Sequence, residues 1–183
     1  MAASSLNLEP IYACYAAMSY STPLVRTDFS DDAAWATIVD AVTRAAFFDD
    51  RDDIEPLPGD PDHPPYQPDI TPISDRSFDG VTLEDLIQAW VPPERGGYLL
   101  LADARSFSEA RAGEEITVAY VDLRDNEEAR THPDWWPEWR FGLSFRCATR
   151  AIAIIECNLG LANTSFSDHY DQQAPDGVVR WRP

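Results

Sequence analysis

The sequence predicts a single α/β domain, a mixed sheet with helices packed on it and two long loop insertions. Two segments repeat apolar residues at helical spacing, and several short runs are continuously apolar or alternate as strands do. These segments follow one another as β-α-loop-β-α-β-β-β before a mixed terminus. A length of 183 residues with 44% hydrophobic residues suits one compact core.

Residues 1–22 read as a loosely ordered N-terminal extension and 23–183 as the domain. The apolar run Ile11–Met18 lacks the positive flank of a secretory signal, because Glu9 precedes it and Arg26 is the first basic residue. Pro23–Thr27 reads as a strand, and Ser30-Asp31-Asp32 as an N-cap, Ser30, with two acids in the first helical turn. Trp35, Ile38, Val39 and Val42 then share one helix face. Residues 49–72 carry closely spaced prolines and aspartates and read as an exposed loop, a disordered insertion in preference to a functional flap.

Thr82 caps a helix over Leu83–Trp90 that Pro92-Pro93 stops. Tyr98–Ala102 is a continuous apolar run of the kind buried on both faces of a sheet, and Ile116–Leu123 is another strand. Residues 125–140 form a second loop, rich in tryptophan, after which Leu143, Phe145 and Cys147 alternate with polar residues as a half-buried strand. Ala151–Leu159 fits both a strand and a short helix, and Gly177–Trp181 fits a closing strand.

Composition excludes several chemistries. No stretch approaches the roughly 20 apolar residues of a membrane-spanning helix. A net charge of −18 argues against a nucleic-acid partner, since backbone binding relies on basic patches. All 14 basic side chains are arginine, so Schiff-base chemistry, a Walker-type lysine and a lysine base are absent. The 3 cysteines, Cys14, Cys147 and Cys157, form no CxxC and read as small buried hydrophobes, which fits a cytoplasmic, reducing location. Neither a glycine-rich phosphate loop nor a dinucleotide fingerprint is present, and no cofactor is expected.

Three predicted strands end in a carboxylate: Asp28, Asp103 and Asp122. Convergence at one sheet edge would make an acid/base or cation site, while the plainer reading is that each caps the turn or helix that follows. Arg26, Arg146 and Arg180 lie in short predicted strands and suit either ion pairs with those acids or an anion clamp. With permanent arginine charge close by, no metal is expected. His169, beside Asp168, is the one histidine ranked as an acid/base candidate, against its reading as an ordinary surface residue. Trp135, Trp136 and Trp139 suit a lid, a partner hot spot, or a cover over a sheet edge.

The run Leu24-Val25-Arg26-Thr27-Asp28-Phe29-Ser30-Asp31-Asp32 with Ala34-Trp35 carries a resemblance. So do Phe145-Arg146, Asn158-Leu159-Gly160-Leu161-Ala162-Asn163 with Phe166, and Asp176-Gly177-Val178 with Arg180. Together they resemble an uncharacterised family of small bacterial and fungal domains, a domain of unknown function, over roughly Pro23 to Trp181. The resemblance implies a shared fold and no activity. It also implies that Arg26, Asp28, Arg146, Asn158, Asn163 and Arg180 belong to the family pattern, from which Thr164-Ser165 and Arg182-Pro183 depart.

Two functions follow as expectations. The first is a cofactor-free small-molecule enzyme of isomerase, cyclase or lyase type, with Asp28 and Asp103 handling protons and Arg26 and Arg146 stabilising charge. Asp122, Asn158, Asn163, Arg180, Trp135 and Trp136 would line its ligand. The alternative is a non-catalytic acidic module, of inhibitor or immunity type, that engages a basic protein.

Overall fold

The computed structural model describes residues 6–16, 21–46, 65–90, 97–124, 129, 131, 132, 134 and 140–180. Among them run α1 (Glu9–Ala16), β1 (Thr22–Arg26), α2 (Asp32–Val42), β2 (Ile70–Ile73), α3 (Leu83–Ala89), β3 (Tyr98–Ala102) and α4 (Ala104–Ala112). They are followed by β4 (Thr117–Asp122), β5 (Ser144–Ala148), α5 (Ile152–Gly160), α6 (Phe166–Asp171) and β6 (Val178–Val179). The six strands form one mixed sheet in the order β2-β1-β3-β4-β5-β6. Strand β1 is parallel to β2 and β3, β4 is antiparallel to β3 and β5, and β6 is parallel to β5.

Both faces of the sheet are covered, so the fold has three layers. Because side chains alternate along a strand, Leu24, Leu100, Tyr120, Phe145 and Cys147 face one way. They pack on Ile38 and Val42 of α2, Phe107 of α4, Ile152 and Ile155 of α5, and Phe166 of α6. Val25, Leu99, Leu101 and Val121 face the other way, onto Ile11, Cys14 and Tyr15 of α1 and Leu86 of α3. The apolar run Tyr98–Ala102 is thus explained by a strand sandwiched between helices.

The cap expected at Thr82 is made, and the one expected at Ser30 falls one residue later, at Asp31. The Asp31 side chain accepts from the Ala33 and Ala34 amides at the start of α2, and Thr82 forms a capping box with Asp85 ahead of α3. The open segment at 151–159 is helix α5, in which Ile152, Ala153, Ile155 and Glu156 are buried.

Two expectations are corrected. The N-terminal segment is ordered over residues 6–16: Leu8, Ile11 and Tyr15 fall on one helical face and are buried, and the Tyr15 hydroxyl donates to the Tyr98 carbonyl at 2.9 Å. The second concerns the loop assigned to 49–72, whose last three residues belong to β2. Ile70–Ile73 pairs with β1, an edge position that tolerates Pro72. Helix α4 was not foreseen, because among its residues only Phe107 is a large apolar side chain. Its ends are nevertheless marked by Asp103, which accepts from the Ser106 amide, and by Gly113, which closes the helix at φ 68°.

Candidate functional site

The register of the sheet decides which strand-end acids meet. Arg26 pairs in register with Ala102, so Asp28 and Asp103 both follow strands that end at the same edge. Strand β4 runs the other way and Asp122 is opposite Tyr98, at the far edge. Among the described residues the trio therefore does not converge, and each acid is engaged locally. The Asp28 carboxylate accepts from the Ser30 amide at 2.8 Å, and Asp103 caps α4. Asp122 is held by two hydrogen bonds from the Arg124 guanidinium.

The two arginines nominated with them lie on opposite faces. Arg26 shares the face of Leu24 and stacks over Phe29 at 4.4 Å, Phe107 at 5.4 Å and Trp35 at 5.6 Å. Arg146 lies between Phe145 and Cys147 and so faces the other side, where it reaches the Asp103 carboxylate at 2.5 Å. Three strand spacings of about 4.8 Å also separate their backbones. Arg180 is bonded to Glu115 and Asp176. Asn158 donates to the Ile154 carbonyl at 3.0 Å and accepts from Asn163 at 3.5 Å, so both asparagines are used within α5 and its turn. Trp135 and Trp136 lie outside the described residues, as does Trp139.

At the edge shared by Asp28 and Asp103 the chain leaves β1 and β3 for two helices, α2 and α4, that pack side by side on one face of the sheet. From β1 the chain proceeds through α2 to β2 on one side, and from β3 through α4 to β4 on the other. The carboxyl ends of strands are where open α/β sheets commonly hold ligands. Arg26 stands there, 3% exposed. Its Nε donates to the Asp28 carbonyl at 2.9 Å, and one terminal nitrogen lies 2.8 Å from Asp32. The other terminal nitrogen is buried with no hydrogen-bond partner among the described residues.

Two more guanidiniums border the same loop. Arg76 lies over the Phe29 ring at 5.3 Å, and Arg111 of α4 reaches Ser30 Oγ at 3.3 Å and Asp28 at 4.0 Å. Burial pushes the Asp28 carboxyl up, but hydrogen bonds from Ser30 and the charges of Arg111 and Arg26 outweigh it and hold it below the usual carboxylate range. Asp28 is therefore ionised at neutral pH, and this edge combines the carboxylates of Asp28 and Asp32 with three arginines.

A second polar group, which the sequence reading missed, lies on the α5 side of the sheet. Glu156 is 9% exposed and accepts hydrogen bonds from the Tyr120 hydroxyl and, at 2.9 Å, from the Thr22 hydroxyl. Burial pushes its carboxyl up to about 7, while the Tyr120 and Thr22 bonds pull it down and Asp69 adds to the rise. The only sequence signal was an acid within an otherwise apolar stretch of a segment whose helical type was open. His169 is likewise buried in place of being a surface residue. Its Nε2 lies 2.9 Å from the Thr164 hydroxyl, and burial lowers its pKa more than Asp168 raises it.

Among the described residues, no helix is long and apolar enough to cross a membrane. Neither a curated protein nor a solved structure matches the chain. A family model does match, over residues 21–182, and that range takes in every strand of the sheet. On this match the chain belongs to the family described as a domain of unknown function, DUF6924.

Proposed function

We propose that the domain binds a small anionic molecule at the loops that follow β1 and β3. It would act on that molecule without a cofactor, by charge stabilisation of the kind an isomerase, cyclase or lyase uses. The observation that supports this reading is Arg26, a buried guanidinium at the carboxyl ends of β1 and β3, one terminal nitrogen of which has no hydrogen-bond partner among the described residues. A planar donor of permanent charge suits a carboxylate or phosphate oxygen. The depressed Asp28 carboxyl fits an acceptor that orients a substrate hydroxyl better than a base that stores a proton, since efficient proton transfer favours a pKa near the working pH.

The test is a thermal-shift series on the full chain with inorganic phosphate and with succinate, against chloride at equal ionic strength. Either anion should raise the midpoint saturably. Arg26→Met should abolish the rise and still fold, because methionine can fill the space among the three rings. A flat response to both anions, or an Arg26→Met variant that responds like the parent chain, would remove this reading.

The net charge of −18 favours a second reading, an acidic module that engages a basic protein. Such an interface would weaken steeply with added salt.

A further inference from the structure

We propose that Glu156, Tyr120 and Thr22 form a proton-gated latch. With its proton on, Glu156 pins the second half of α5 to β1 and β4; with its proton lost, it swings to solvent and frees that end of the helix. The geometry is a bridge between three elements: a carboxyl from α5 meets the Thr22 hydroxyl at the first residue of β1 and the Tyr120 hydroxyl from β4. Both hydroxyls accept as well as donate, so they satisfy the neutral acid, whose own O–H needs an acceptor.

Among the described residues, the groups around the ionised form offer it no counter-charge. The titratable side chains that interact with Glu156 are Tyr120 of β4, Tyr98 of β3, Tyr15 of α1, Cys147 of β5, Tyr66, and Asp69 just ahead of β2. None of them is basic, and Asp69 repels the carboxylate. Solvent is within reach because Glu156 keeps 9% of its surface exposed. The end of α5 that would be released carries Asn158, and its turn continues to Asn163 through backbone bonds of 2.9–3.2 Å. The rest of α5 stays anchored by Ile152 and Ile155 in the core.

The latch predicts a particular pH law. Opening lets the carboxyl return to its solvent value of 4.5 from about 7 and hands its proton to solvent. The opening constant should therefore rise about tenfold per pH unit between those two values and level off above the higher one. Amide hydrogen exchange reads this directly, once corrected for the intrinsic rise of exchange with pH. The amides of Leu161, Ala162 and Asn163 should lose about fortyfold in protection between about pH 5 and about pH 7. They should also exchange faster than the β3 amide of Leu100, which requires global opening.

Glu156→Gln should abolish the pH dependence at these amides. Thr22→Val removes a hydrogen bond that lowers the Glu156 pKa, so it should move the plateau to higher pH; this variant supplies the test if Glu156→Gln fails to fold. Equal exchange at the helix end and at Leu100 would show that Glu156 is only a buried structural acid and overturn the latch. An unchanged pH profile in the folded Gln variant, or an unshifted plateau in Thr22→Val, would overturn it equally.

Discussion

The Arg146 guanidinium on β5 crosses the end of β4 to meet the Asp103 carboxylate, which at the same moment caps α4. One oxygen of Asp103 thus ties a strand two positions away in the sheet to the helix that follows β3. The pair is partly exposed, so its Coulomb contribution is modest beside the cap.

Asp103→Ala should lower stability to urea by about 2 kcal/mol, the sum of a lost N-cap and an unpaired, mostly buried arginine. Asp103→Asn keeps a capping oxygen and should lose less than about half of that. Should the two variants unfold at the same urea concentration, the ion pair and not the cap is the dominant contact.

Phe166 is the hub of an aromatic cluster, with ring centroids 4.7 Å from Phe145, 5.4 Å from Tyr98 and 5.4 Å from Tyr120. Phe166→Ala should cost about 3–5 kcal/mol, because the surrounding rings are held by three strands and cannot collapse into the space. Phe166→Leu should cost about 1 kcal/mol. Thermal midpoints give the order, and the near-ultraviolet circular dichroism of the alanine variant should show loss of the tyrosine signal.

The pH dependence of global stability has two limbs of opposite sign. The Glu156 carboxyl is raised from 4.5 to about 7 by burial, so the folded state holds its proton more tightly than the unfolded chain. Its contribution is complete below 4.5 and gone above about 7, a decline of about 3 kcal/mol across that window. Asp176 is the opposite case. Hydrogen bonds from Arg180 lower it from 3.8 to about 2, so its contribution is present above 3.8 and lost as pH falls toward 2. Urea midpoints measured from about pH 4 to about pH 8 should therefore fall on the alkaline side in the parent chain and stay level there in Glu156→Gln.

The sequence alone determined the α/β class, the start of α2 to within one residue, the cap at Thr82, the strand at Tyr98–Ala102 and the family, because each is written in local signals. Helical spacing, capping side chains and an apolar run act over a few residues and can be read in place. It also carried a readable signal for α1, in Leu8, Ile11 and Tyr15, that composition near the terminus obscured. What the tertiary structure alone decided is which polar groups meet. The antiparallel direction of β4 removed Asp122 from the edge that holds Asp28 and Asp103, and strand alternation turned Arg26 and Arg146 to opposite faces. Glu156 came to Thr22 across 134 positions of chain by the docking of α5. Strand order and direction are settled by long-range packing, so the partner of a charged side chain cannot be read from the residues beside it.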